Sequence, residues 1–234
     1  MPSPVPLPLA RLQDTIVACR ACPRLTRHRE RIAEAKVRRY RDWEYWGRPV
    51  PSFGDPAARL LVIGLAPAAH GGNRTGRIFT GDRSGDWLFA ALHRFGFANQ
   101  PTSTHRGDGL MLRDCYITAA VRCAPPDNRP SRAELTRCRP FLLQEIRLLG
   151  RVEVVVALGR VALEAYLAAR RALGQPLPSP RPAFGHGATY RLPGGPLLVT
   201  SYHPSQQNTL TGRLTRPMFH RIFVQVRRAL GEAM

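Results

Sequence analysis

Four cysteines come first, because thiolates in pairs are metal ligands. Cys19 and Cys22 form a Cys-x2-Cys, and Cys123 and Cys138 form a second, wider pair with fourteen residues between them. Four thiolates suffice for a structural zinc ion or for a [4Fe–4S] cluster, and the spacing admits both. Four unrelated buried cysteines are the alternative, and the Pro23 beside the Cys-x2-Cys argues against it. The fifth, Cys115, opens the run Cys115-Tyr116-Ile117-Thr118-Ala119-Ala120-Val121 and reads as a small core hydrophobe. The other chemistry-bearing residues sit in two segments, Gly64-Leu65-Ala66-Pro67-Ala68-Ala69-His70 and Ser201-Tyr202-His203-Pro204-Ser205-Gln206-Gln207-Asn208. Both follow a short apolar run and are rich in Gly, Pro and small residues, which leave backbone and side chains facing an open crevice.

The elements that must carry these residues are legible from periodicity. Continuous apolar runs at 59–64, 116–121, 152–158 and 197–201 predict four strands buried on both faces, as in a parallel sheet covered by helices. Helical segments alternate with them at 84–95, 131–149, 160–173 and 215–230. Ser131 with Glu134 makes a capping box, and Thr215 caps the last helix with Pro217 in its first turn. A helix is expected from Leu9 to about Arg20, ended by Pro23, after a loose, proline-rich lead-in over residues 1–8. The stretch 24–41 is densely basic and irregular, either a solvated helix or a contact with nucleic-acid backbone. Tyr190-Arg191-Leu192 and Pro193-Gly194-Gly195 are expected to form a hairpin with the last strand. The fold class expected is a three-layer α/β/α sandwich with a central, mostly parallel four-stranded sheet. It is expected to form a single domain over 1–234, with residues 1–50 as an N-terminal arm contributing two metal ligands. Each strand runs into a loaded loop: Gly64–His70, Arg122-Cys123-Ala124-Pro125-Pro126-Asp127-Asn128, Gly159-Arg160, and His203-Pro204-Ser205. Ligands bind at the carboxyl edge of such sheets, so the four loops describe one site.

Charge narrows the partner. Lys plus Arg number 35 against 16 Asp plus Glu, a formal net charge of +19, and Lys36 is the only lysine. A GC-rich genome accounts for Arg over Lys but not for the excess over acid. Arginine binds phosphate bidentately and stacks on bases, so nucleic acid is the expected partner. No apolar run is long enough to span a bilayer and no signal-peptide pattern precedes the first helix. A cytoplasmic, nucleoid-associated protein without membrane contact is expected.

Four segments in order give the chain a family resemblance. They are Gly64-Leu65-Ala66-Pro67, Asn73-Arg74-Thr75-Gly76-Arg77-Ile78-Phe79-Thr80-Gly81-Asp82, Arg122-Cys123-Ala124-Pro125-Pro126, and the stretch from His203 to Thr215. On these the chain resembles the uracil-DNA glycosylase superfamily, and within it family five, the UDGb type, from Cys19 to the last helix. The resemblance implies hydrolysis of the N-glycosidic bond of uracil and other deaminated bases in DNA, leaving an abasic site for base excision repair. The enzyme is expected to be a monomer. A base inside a duplex must be flipped out to be reached, and cleavage passes through an oxocarbenium-like sugar.

Roles follow from the resemblance. His203 is the candidate for a hydrogen bond to the departing base, where negative charge develops. Phe79 resembles the aromatic that stacks on the flipped base, with core packing as the competing role. The amides of Ala66 to Ala69, Ala68 included, are candidates to bind the base or a phosphate. Other branches place an acidic or amide residue at the position of Leu65 or Ala66 to activate water; neither residue here can do so. The resemblance to family five associates an Asn after the Cys-Ala-Pro-Pro segment with the water, and the matching residue is Asn128; it is ranked first as water ligand and Asp82 second, since Asp82 has a rival role as helix N-cap. The smaller polar demand at Leu65 and Ala66 implies a less selective pocket that also admits bases such as hypoxanthine. Gln207 and Leu210 are candidates to wedge into the duplex, Asn208 lies in the same segment, and Arg213 and Arg77 are expected to meet phosphates. The resemblance favours a [4Fe–4S] cluster over zinc on Cys19, Cys22, Cys123 and Cys138, with a structural role. The competing class is a non-catalytic iron–sulfur or zinc DNA-binding damage sensor. A Rossmann-type nucleotide enzyme is disfavoured because no Gly-x-Gly-x-x-Gly follows the first strand.

Overall fold

The structure is a computed structural model and describes residues 5–231. Six strands form one sheet in the order β1–β3–β2–β4–β6–β5. They are β1 (Phe53–Gly54), β2 (Leu60–Gly64), β3 (Cys115–Ala119), β4 (Val154–Leu158), β5 (Thr189–Arg191) and β6 (Leu197–Ser201). The helices are α1 (Leu7–Ala18), α2 (Pro23–Ala35), α3 (Gly72–Thr75), α4 (Arg83–Arg94), α5 (Arg132–Leu148), α6 (Arg160–Ala172), α7 (Gln206–Leu210) and α8 (Arg216–Ala229).

The four central strands are parallel, and the two short antiparallel edge strands extend the four-stranded sheet expected from the runs. Strand β5 is the expected hairpin partner of β6. Every residue of β2, β3 and β4 is buried, and alternate side chains enter opposite layers. Leu60, Val62, Ile117, Val156 and Val199 meet Leu88, Phe89, Phe219 and Phe223 of α4 and α8. Leu61, Ile63, Val155 and Leu198 meet Leu12, Ile16, Leu142, Leu163 and Leu167 of α1, α5 and α6. Each such aliphatic side chain contributes about 1.5–3 kcal/mol by leaving water, which is why short strands hold without alternation.

The capping box at Ser131 and the caps at Asp82 and Thr215 form as the sequence predicts. Two expectations near the N-terminus are corrected. Pro23 does not end a helix; it opens α2 at its first position, where a missing N–H costs nothing. The same tolerance lets α1 begin at Leu7 with Pro8 in its first turn, inside the stretch expected to be a loose lead-in; residues 1–4 of that stretch lie outside the described residues. The basic stretch 24–41 is helix to Ala35 and a 3-10 turn over Arg38–Tyr40.

Candidate active site at the carboxyl edge of the sheet

Register sets the site. Gly64 pairs with Ala119, Ile63 with Ala157, and Leu158 with Ser201, so the four parallel strands end level with one another. The loaded loops therefore emerge along a single edge. Hydrogen bonds from the Ala120 and Val121 amides to the Gly64 and Leu65 carbonyls continue the pairing past the strands. Beyond them, no acceptor among the described residues takes the amides of Ala66, Ala68 and Ala69, so these donors remain open.

His203 and Phe79 meet across the crevice. Their rings stack at 5.7 Å between centroids with 26° between planes. The Asn208 side-chain amide donates to the His203 carbonyl at 2.8 Å, fixing the loop that carries the imidazole. His203 keeps part of its surface open, yet its ring is closely surrounded, and burial pushes its pKa down to about 4. It is a neutral imidazole at neutral pH, able to donate one hydrogen bond without carrying charge. Phe79 has φ +54, an uncommon conformation for a bulky residue, and is 6% exposed. Its ring lies over Gly64 so tightly that a Cβ there would sit 2.8 Å from the ring atoms. Phe79 thus packs in the core and against His203 at once.

Asp82 caps α4: its Oδ1 accepts from the Gly85 amide at 3.0 Å. Its other oxygen rests on Gly71, where a Cβ would be only 2.1 Å away. Burial raises the Asp82 pKa above the usual carboxylate range, and Asp86 adds to this, while the Gly85 and Ser84 amides and Arg74 pull it back. Asn128 is exposed, at φ +56, in the short 3-10 turn after Pro125; no described residue hydrogen-bonds its side chain. Gln207 is exposed on α7, Leu210 at its end is 64% exposed, and Arg213 is exposed with its guanidinium 4.7 Å over the Tyr202 ring.

Arg77 is a correction. It is 4% exposed, and its guanidinium donates to Thr80 Oγ1, Ser103 Oγ, the Arg106 carbonyl and both oxygens of Asp108. Its donors are used inside the protein, so it organises the loop over 103–108 and does not meet a phosphate.

The cysteine pairs converge. Cys123 and Cys138 pack together with Leu25, Val121 and Cys22, and Cys19 lies near enough to raise the proton affinity of both. Burial pushes the Cys123 thiol up to about 12 and Cys138 to about 11, so both are protonated at neutral pH and are not nucleophiles. Behind them, Arg122 (2% exposed) pairs with the wholly buried Glu145, and both reach Ser52. That ion pair ties the Cys123 loop to α5, which carries Cys138. The Arg24 guanidinium adds a second tie, pairing with Glu134 at 2.7 Å between α2 and α5. The thiol of Cys115 is fully buried in the α4/α8 layer and held well above its ordinary pKa by burial.

Residues 51–227 match the family described as the uracil DNA glycosylase superfamily. The chain belongs to that superfamily. Among curated relatives it is 52% identical to the type-5 uracil-DNA glycosylase of Thermus thermophilus, over 93% of this chain and 96% of the relative. It is 50% identical to the Mycobacterium tuberculosis type-5 enzyme, over 95% and 82%, and 48% identical to that of Pyrobaculum aerophilum, over 86% and 84%. Similarity at this level over nearly the whole chain puts it in the type-5 branch of the glycosylases. Sequence reasoning missed several residues that this glycosylase places around its site. Tyr45 donates to or accepts from His70 Nδ1 at 3.0 Å, and His186 Nδ1 accepts from the Tyr202 amide at 3.1 Å while stacking on its ring. His186 stood between two glycines, a usable signal; Tyr45 had none, because its contact depends on how the arm folds back.

Proposed function

We propose that the protein is a monofunctional DNA glycosylase that hydrolyses the N-glycosidic bond of uracil, and of other deaminated bases, leaving an abasic site. The observation that carries this reading is the neutral His203 stacked on Phe79 beside open backbone amides, in a chain of the type-5 branch. The flipped base would lie against the Phe79 ring and the amides of Ala66 and Ala68 would bind its polar edge. A neutral imidazole donor at its carbonyl would stabilise the departing anion as charge develops. Asn128 and Asp82 are assigned the water, the former exposed with an uncommitted side-chain amide. Gln207, Asn208 and Leu210 would enter or support the duplex contact, and Arg213 would take a phosphate.

Cys19, Cys22, Cys123 and Cys138 are assigned a [4Fe–4S] cluster. The four thiols share one environment, which supports a common ligand, and the resemblance to family five favours the cluster over zinc. The cluster would brace the arm and the Cys123 loop; hydrolysis moves no electrons, so its role is structural. No helix among the described residues is long and apolar enough to cross a membrane. We assign the protein to the cytoplasm, bound to DNA as a monomer.

The test is release of free base from uracil-containing duplex, scored also as alkali-labile sites, across a panel that includes hypoxanthine. His203→Ala and Asn128→Ala are expected to lower the single-turnover rate by at least about 100-fold each, with DNA binding retained. Unchanged rates would remove both assignments, and binding without any base release in the wild type would favour a damage sensor.

A further inference from the structure

Arg74, on α3, is a residue the reading above does not use. It is 3% exposed. Its Nε donates to the His70 carbonyl at 2.8 Å and its Nη2 to the Gly81 carbonyl at 2.9 Å. Those carbonyls belong to the two loops that meet in the crevice: one ends the Gly64–His70 segment, the other immediately precedes Asp82. The fit at the second is close, since a Cβ on Gly81 would stand 2.3 Å from Nη2. Above the guanidinium lie two aromatic rings of the N-terminal arm, Tyr40 at 3.8 Å and Trp43 at 4.1 Å, set at 70° to each other. This is an expensive way to fill space. Burial pushes the Arg74 pKa down, and its Nη1 is buried with no partner among the described residues. A buried cation held at that cost is kept for where its charge and fork sit.

We propose that Arg74, roofed by Tyr40 and Trp43, is a positioning residue that braces the Gly64–His70 loop against the Phe79–Asp82 loop and supplies the positive charge facing Asp82. The proposal rests on the reading that Asp82 serves the reaction as a carboxylate. The groups bearing on Asp82 are Arg74 from α3, Asp86 from α4 and the Ser84 and Gly85 amides; those bearing on Arg74 itself include Arg39, Tyr40 and Tyr45. Of these only Arg74 is a cation acting on Asp82. Removing its charge raises the Asp82 pKa, so activity is lost at a higher pH on the acid side.

The experiment measures single-turnover uracil excision by the full chain between about pH 5 and 9, with duplex affinity measured in parallel. Arg74→Gln is expected to slow excision roughly tenfold or more and to move the acid limb to higher pH, with affinity little changed. Arg74→Lys keeps the charge and is expected to hold the acid limb in place, yet stays slow, because an ammonium cannot span both carbonyls with a planar fork. Should Arg74→Gln fail to fold, Trp43→Leu removes the exposed side of the roof and is expected to shift the acid limb in the same direction, by less. An acid limb unmoved in Arg74→Gln, or in Trp43→Leu where that variant stands in, or full rate in Arg74→Lys, overturns the proposal. Asp82→Asn separates the two layers: wild-type excision by that variant overturns the reading of Asp82, whereas loss of excision with an unmoved acid limb in Arg74→Gln overturns only the role of Arg74.

Discussion

His203 shows how one side chain's environment sets its chemistry. Burial alone holds it neutral, with a pKa of about 4 against an ordinary value of 6.5. The unfolded chain therefore binds a proton between those two values that the folded chain refuses. Stability is present in full above about pH 6.5, falls as pH drops toward 4, and changes no further from this group below that. His28, His70, His186 and His220 are shifted the same way, each with burial as the leading cause. Replacing His203 with Asn is expected to shrink the loss of stability between pH 6.5 and 4 without abolishing it. The urea midpoint measured across that range reports the slope, and an undiminished slope would mean the imidazole titrates normally. At this scale the sequence spoke unevenly. His203 and Phe79 stood in motifs at a strand end or beside a turn, where side chains have little choice of direction. Arg77 stood in one too, but whether an arginine meets solvent or an internal carboxylate depends on Asp108, thirty-one positions on, which no local pattern reveals.

Among the elements, β2 does most to shape the crevice, through its last residue. Gly64 is glycine for space and not for backbone freedom: the Phe79 ring occupies the volume a Cβ would need. Gly64→Ala is expected to displace Phe79 from His203, costing roughly 1–3 kcal/mol of stability by overpacking. Excision should fall while duplex affinity changes little, a split that rate and binding measurements on one preparation would show; full excision would mean the stack is dispensable. The strands themselves were legible because burial on both faces writes unbroken apolar runs, and the caps because Ser131, Asp82 and Thr215 precede helices at the right spacing. The edge strands β1 and β5 were weaker signals: two and three residues long, they are held by pairing with β3 and β6 and not by a pattern of their own. Pro23 was misread because proline stops a helix in its interior and starts one at its first position, and only the neighbouring turn distinguishes the two.

For the whole molecule, the arm is joined to the body at many places, from Leu12 and Ile16 of α1 in the core to the junction of Cys22 with Cys123 and Cys138. Arg24–Glu134, Arg122–Glu145 and the Tyr40–Trp43 roof on Arg74 are others. Cys138→Ser is expected to remove the brown colour of a cluster and to expose the arm, read as faster proteolysis within residues 19–48 while the sheet still unfolds cooperatively. A colourless wild-type protein containing zinc would correct the cofactor and leave the joint in place. The superfamily and the sheet were readable in advance because long motifs recur in order along the chain. The arm's path was not, since it is set by contacts between residues a hundred positions apart.

That separation has a consequence in time. The two halves of the cysteine cluster lie more than a hundred residues apart in the chain. At a synthesis rate of about 5–20 residues per second, Cys19 and Cys22 emerge on the order of ten seconds before Cys138 exists to meet them. For that interval the nascent arm carries two solvent-exposed thiols with no partners. For the proposed four-thiol site to form, both must stay reduced and unpaired while α5 is still being made, so assembly of that site answers to the redox state around the ribosome as well as to the protein's own folding energy.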